Sequence, residues 1–166
     1  MLPLLLVFLG IASRLVFHTP NFTPVIAIAL FSGIYVRGRY AVLLPVVLLI
    51  ITDLFVGMHS VVSFTWGSMA LIALLGLKIK EKKSFGTVFA GGVISAVLFF
   101  VVTNLGVWLL SGMYTLDLNG LSQCFTLAVP FFRSTLASTL LYTVVLYGVY
   151  EFAAKRLKDT SLASVL

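Results

Sequence analysis

The stretch from Arg14 to Asp53 decides the fold and reads RLVFHTPNFTPVIAIALFSGIYVRGRYAVLLPVVLLIITD. It consists of apolar runs, and its polar residues Arg14, His18, Asn21 and Asp53 stand at the ends of those runs. A chain dissolved in lipid retains polar groups at such positions at a cost in free energy, which makes them candidates for a function. The sequence therefore predicts that a functional site includes residues of this stretch.

The composition is that of an integral membrane protein. Hydrophobic residues make up 61% of the chain and charged residues 10%, against about 25% charged in an average soluble domain, and the mean hydropathy is +1.17. The 166 residues allow five or six helical spans of about 20 residues each. We predict an all-α bundle of about six transmembrane helices that forms one domain over residues 1–166, with the apolar N-terminus kept as its first span because no cleavage signal precedes Arg14.

The six predicted spans cover residues 2–17, 23–35, 40–56, 61–77, 87–110 and 129–150. The second is short, since about 13 residues rise only ~20 Å against a hydrocarbon core of ~30 Å. Either its neighbours shield its ends or water enters a hollow there, and we favour the hollow. Small residues predict close helix contacts in the fourth span, at Ser63 and Gly67, and in the fifth, at residues 91–96.

Basic residues predict the orientation. Nine of the eleven Lys and Arg residues fall in the 37–39 turn, the 78–83 loop and the tail after Glu151. The positive-inside rule then places both termini on the cytoplasmic side of a bacterial inner membrane, and the net charge of +6 requires no nucleic acid. A single span over residues 1–35, with the N-terminus outside, would be a helix ~50 Å long and is disfavoured for that reason.

The two basic residues that depart from this rule, Arg14 and Arg133, fall at the predicted outer ends of spans. Asn21, Asp53, Asn104 and Trp108 fall on the same side. This convergence predicts a pocket open to the outside and capped by the 111–123 loop. The predicted substrate-binding residues are Arg14, Asn21, Asp53, Asn104, Trp108 and Arg133.

Each of these residues also has a structural interpretation. Arg14 can extend to the lipid headgroups or pair with Asp53, and Asn104 can form a helix–helix hydrogen bond. Trp108, like Trp66, is typical of an aromatic belt. Arg133 follows Pro130 in the expected first turn of the sixth span, where the helix dipole also favours an anionic ligand. Its structural alternative is an ion pair with Asp117 or Asp53.

Enzyme classes are disfavoured. The sequence has no G-x-S-x-G, H-E-x-x-H or G-x-x-x-x-G-K-[ST] motif, so we expect neither an enzyme nor a bound cofactor. His18 and His59 without a cysteine or an acidic cluster predict no metal site. Cys124 is the only cysteine, which excludes an internal disulfide, and we interpret it as an inert small residue.

Four segments carry a resemblance: PNFTPV at 20–25, TDLFVG at 52–57, TNLGVW at 103–108 and PFFRSTL at 130–136. Together they resemble a family of small bacterial membrane proteins of unassigned function. More distantly, the small-residue helix at 27–33 and TDLFVG resemble the substrate-binding S components of energy-coupling factor transporters. That resemblance implies six helices, a pocket near the outer face, and uptake driven by a scaffold subunit with two ATPases.

The sequence thus predicts a binding subunit for the uptake of a small anionic or zwitterionic, vitamin-like molecule. The alternative is a membrane scaffold that resembles the small rod-shape-determining membrane proteins. Such a scaffold would need no pocket.

Overall fold

The computed structural model describes residues 5–6, 8–12 and 21–157, and these residues are helical with short connections and no strand. Helix α1 comprises the helical residues 5–6 and 8–12. The helices that follow are α2 (Val25–Tyr35), α3 (Tyr40–Val56), α4 (Val62–Lys80), α5 (Phe85–Leu110) and α6 (Leu118–Leu157). Arg14 and His18 lie outside the described residues.

Three of these helices are long and apolar enough to cross a membrane: Val62–Lys80, Phe85–Leu110 and Leu118–Arg156. Helices α2 and α3 are apolar but shorter. The prediction of an all-α membrane protein is therefore supported, and the predicted second to fifth spans agree with α2 to α5 to within three residues at each end.

The predicted start of the sixth span is wrong. Helix α6 begins at Leu118 rather than Val129 and continues through Pro130 over 40 residues, a length of ~60 Å. Proline removes one backbone hydrogen bond from a helix interior, but helices of membrane proteins tolerate it because other groups satisfy the freed carbonyl. The connection before α6 is accordingly 111–117, shorter than the predicted 111–123 loop.

Helix α2 lies at the centre of the bundle. Ten of its eleven residues are buried, and it contacts α3, α4, α5 and α6. A helix that is apolar on every side can be buried completely among its neighbours. Its 11 residues rise ~16 Å, so α2 cannot fill the bundle from one face of a membrane to the other.

Glycines let α2 pack closely on α4. A Cβ on Gly33 would collide with the carbonyl of Ala73 and lie 2.8 Å from Cα of Gly76. The predicted contact through Ser63 and Gly67 is wrong, since Gly67 faces open space. In α5 the small residues are buried as predicted, and a Cβ on Gly92 would lie 3.2 Å from Thr143 Oγ1 on α6.

Two ends of the bundle can be distinguished. The basic end, formed by the connections 36–39 and 81–84 and the last turns of α6, is held together by Glu151. Its Oε1 accepts hydrogen bonds from Tyr35 at 2.7 Å and from Lys83 at 2.6 Å. The opposite end, formed by the connections 57–61 and 111–117, is the predicted outer side.

Candidate functional site

Two cavities open at the opposite end of the bundle, above the first turn of α2. The first has a volume of about 210 Å³ and the second about 260 Å³. Asn21, Thr23, Val25 and Ile26, which lead into and begin α2, line the first cavity. The hollow expected from the shortness of the second span therefore lies at this end, because the inner end of α2 is already occupied by the Tyr35 contact with Glu151.

The first cavity has a mixed lining, and its polar side chains are drawn from several elements. Asp53 lies in the last turn of α3, His59 in the connection that follows, Thr65 in α4, and Thr135 and Ser138 in α6. Of the lining residues, the sequence predicts only Asn21 and Asp53 as binding residues. The three-residue spacing of Thr135 and Ser138 predicts one shared helix face, but it cannot distinguish a face that packs on a helix from one that lines a cavity.

Asp53 is the buried acid of this cavity, with 1% of its surface exposed. Gly57, four residues after Asp53, follows the last residue of α3, with φ of 119° and its N–H donated to the Asp53 backbone carbonyl at 2.9 Å. This backbone conformation favours glycine. The Asp53 carboxylate accepts a hydrogen bond from Trp66 Nε1 at 2.8 Å, and a buried carboxylate needs such donors. Trp66, an aromatic residue of α4, therefore holds the Asp53 carboxylate in position.

Asn21 contributes to both cavities. Its φ is 58°, a left-handed conformation that asparagine tolerates better than most residues. Its carbonyl accepts a hydrogen bond from Ser138 Oγ at 3.4 Å. The chain before α2 is therefore attached to α6 at the point where the two cavities meet.

The second cavity lies between α5 and α6 and has four phenylalanines in its wall. The residues that line it are Asn21, Phe99, Phe100, Thr103, Asn104, Ala128, Phe131, Phe132 and Thr135. Asn104, a predicted binding residue, lies here. Its amide nitrogen donates to the Phe100 carbonyl at 2.7 Å within α5, and its carbonyl accepts a bond from the Cys124 thiol at 3.5 Å.

Two predicted site residues are not brought to the cavities. Trp108 lines neither cavity; its Nε1 donates to the Thr115 carbonyl at 2.9 Å and attaches the 111–117 connection to α5. Arg133 is exposed and also lines neither. Its predicted position in a first helical turn is wrong, because α6 begins at Leu118 and Arg133 lies in the helix interior, where the backbone N–H groups bond within the helix.

The charges on the described lining residues are few. Asp53 is the one acid and His59 the one imidazole, and neither lysine nor arginine occurs among the described residues that line the two cavities. The described residues also contain no group of three His, Cys, Asp or Glu side chains placed to hold a metal ion. The arrangement can therefore bind a small polar molecule through hydroxyl, amide, carboxylate and imidazole groups.

Comparison with known proteins identifies the family. No curated protein and no solved structure matches the chain. The sequence model of DUF6580, a family of unknown function, matches residues 1–162. The expected membership of an uncharacterised family is confirmed on nearly the whole length of the sequence, and the chain belongs to the DUF6580 family.

Proposed function

We propose that this protein is a membrane-embedded binding subunit that captures a small anionic or zwitterionic molecule at its outer face, in the manner of the S components of energy-coupling factor transporters. The observation that carries the proposal is the cavity above α2, which polar side chains from several elements help to line, with the buried carboxylate of Asp53 among them. A membrane helix bundle minimises its free energy by filling such a space with apolar side chains. Polar groups retained there support a role in binding.

The size of the site suits a small molecule. Ligand pockets commonly have volumes of ~300–1,000 Å³, and the two cavities of about 210 and 260 Å³ share Asn21, Phe99 and Thr135 in their linings. A ligand that occupies both is the size of a nucleobase derivative or an aromatic amino acid. Uptake would then require a partner, and we propose that a scaffold subunit with ATPases docks at the basic end.

Native mass spectrometry of the protein purified in mild detergent tests this proposal. We expect the parent protein to retain a small molecule that Asp53→Asn, which removes the carboxylate charge at nearly constant volume, retains less. Asp117→Asn is the matched control, since Asp117 is an exposed acid at the same end that lines neither cavity. Equal retention by the parent and Asp53→Asn would remove Asp53 from the site. An empty parent protein would favour the scaffold alternative.

A further inference from the structure

Phenylalanine rings from two helices line the second cavity. Phe100 of α5 packs on Phe132 of α6 with ring centroids 4.7 Å apart and an interplanar angle of 45°. Phe99 and Phe131 belong to the same lining. Aromatic rings prefer offset or edge-to-face partners at centroid separations of about 4.5–7 Å. A flat aromatic ring that enters this cavity of about 260 Å³ would find such partners on both helices.

Two threonines of this lining have already used their only hydrogen-bond donor. Thr103 Oγ1 donates to the Phe99 carbonyl at 2.8 Å, and Thr135 Oγ1 donates to the Phe131 carbonyl at 3.0 Å. A hydroxyl has one hydrogen to donate and two lone pairs that accept. While these bonds are kept, the two hydroxyls can offer a ligand only acceptors.

Asn104 adds a third acceptor to the same wall. Its Nδ2 donates to the Phe100 carbonyl at 2.7 Å, and its side-chain oxygen and second N–H take no part in that bond. The described part of the wall on α5 and α6 therefore presents three side-chain oxygens and one remaining N–H. Polar groups removed from water require hydrogen-bond partners, and the partners that most of these groups require are donors.

We infer that the second cavity binds a flat aromatic ring that carries a hydrogen-bond donor, such as a ring N–H or a phenolic O–H. The phenylalanine rings supply the aromatic contacts, and the oxygens of Thr103, Asn104 and Thr135 supply the acceptors. An acyl chain would leave these oxygens without a donor. The inference rests on the proposed binding function and names the class of ring that is bound, and it assigns no charge to the rest of the molecule.

Three probes separate the ring from the donor. Indole is a flat ring with an N–H, benzofuran is a ring of nearly the same size with an ether oxygen in place of that N–H, and cyclohexanol carries a donor without an aromatic ring. Thermal shift and isothermal calorimetry measure their binding to the protein in detergent, with empty micelles as the reference for partitioning. We expect indole to bind at least about fivefold more tightly than either of the others, because a site that accepts a hydrogen bond rejects an analogue without the donor.

Single substitutions in the wall test the hydrogen bond. Thr103→Val, Thr135→Val and Asn104→Leu each remove one acceptor oxygen at nearly constant volume. Thr126→Val is the matched control, since Thr126 is exposed, lines neither cavity and donates to the Ser122 carbonyl at 2.7 Å in the same way. We expect at least one of the three wall variants to lose most of the preference for indole over benzofuran, and Thr126→Val to keep it. The ratio of the two affinities does not respond to a general loss of stability.

Variants of α6 locate the ring. Ala128 is buried in the lining of the second cavity, whereas Ala137 is exposed on the same helix. We expect Ala128→Phe to fill the cavity and weaken indole binding about tenfold or more, and Ala137→Phe to leave it unchanged. If Ala128→Phe does not fold, the smaller Ala128→Leu takes its place.

Several outcomes would overturn the inference. Benzofuran that binds as tightly as indole would exclude the hydrogen bond, and cyclohexanol that does so would exclude the ring. A preference for indole that survives in all three wall variants, or indole binding that is unchanged in the filled cavity, would place the ring elsewhere. Loss of a retained phospholipid in Ala128→Phe would assign the cavity to an acyl chain.

Native mass spectrometry separates this inference from the proposed function. A retained molecule that contains a ring with an N–H or O–H donor would support both. Failure of all three probes, with a ring-free molecule retained by the parent protein, overturns the inference and leaves the proposed function intact. If no probe binds and no molecule is retained, both are contradicted.

Discussion

Trp66 donates its indole N–H to the buried carboxylate of Asp53 at 2.8 Å. The bond joins the last turn of α3 to α4 and fixes one oxygen of the carboxylate at the wall of the first cavity. The hydrogen bond fixes the orientation of the carboxylate. It therefore connects the packing of α3 on α4 with the position of a carboxylate in the cavity wall.

Replacing Trp66 by Phe should destabilise the fold. The change removes a donor from a buried carboxylate, and leaving a buried polar group short of a partner costs about 1–3 kcal/mol. Thermal unfolding in detergent measures the loss. In the double variant with Asp53→Ala the combined loss of stability should be smaller than the sum of the two single losses, because each single change already removes the same hydrogen bond. Full additivity would show that the two residues act independently.

Alanine at Gly33 or at Gly76 should disrupt the crossing of α2 and α4. A Cβ on Gly76 would collide with the Leu30 carbonyl and lie 2.9 Å from Cα of Gly33, and backbone atoms cannot move aside as a flexible side chain can. Overpacking costs about 1–3 kcal/mol or more. Thermal unfolding and size-exclusion profiles report the effect.

Gly67→Ala is the control for this crossing, since its Cβ would meet open space. There alanine should stabilise the helix by up to about 1 kcal/mol. A Gly33→Ala protein as stable as the Gly67→Ala protein would contradict the close packing of α2 on α4.

The sequence predicted the helices best where turn residues flank an apolar run. The bounds of α3, Tyr40–Val56, agree with the prediction at both ends, because the R-G-R turn and Gly57 are strong local signals. The start of α6 was missed, because Pro130 was interpreted as the first residue of a helix. That rule holds for isolated helices, whereas packing against α5 carries α6 through the proline.

The candidate site was predicted in part for a similar reason. Asn21 and Asp53 lie near helix ends. The end of a helix can be predicted from turn residues, and it determines how close to the membrane surface the neighbouring side chains lie. Which way a side chain in the middle of a helix points depends on packing, so Arg133 was assigned to the pocket although its side chain is exposed away from it. His59 was not among the predicted binding residues, because nothing in the five-residue connection 57–61 predicts that it lines a cavity.

Stability should depend on pH through Asp117, which caps α6. The Gly120 N–H, donated to Oδ1 at 2.7 Å, and then the Thr115 hydroxyl at 3.0 Å lower the pKa of this carboxyl below its ordinary value. A lowered pKa in the folded state stabilises the protein above the ordinary pKa of the group, and this contribution is lost as the pH falls through the lowered pKa. We expect acidification to lower the unfolding temperature of the parent protein by more than that of Asp117→Asn. An asparagine side chain can still accept the Gly120 N–H, but it does not titrate. Identical pH profiles would contradict this role.

Labelling from the two sides of the membrane should place the cavities outside. Cys124 is buried and is first replaced by alanine to give a cysteine-free parent. Asn119→Cys, in the first turn of α6, should react in intact cells with a thiol reagent that does not cross membranes, whereas Lys82→Cys, in the α4–α5 connection, should react only after lysis. The physical basis is the concentration of basic residues at the end that holds Lys82. Reaction of Lys82→Cys in intact cells would invert the bundle, and the cavities would then face the cytoplasm and serve export or an internal ligand rather than capture from outside.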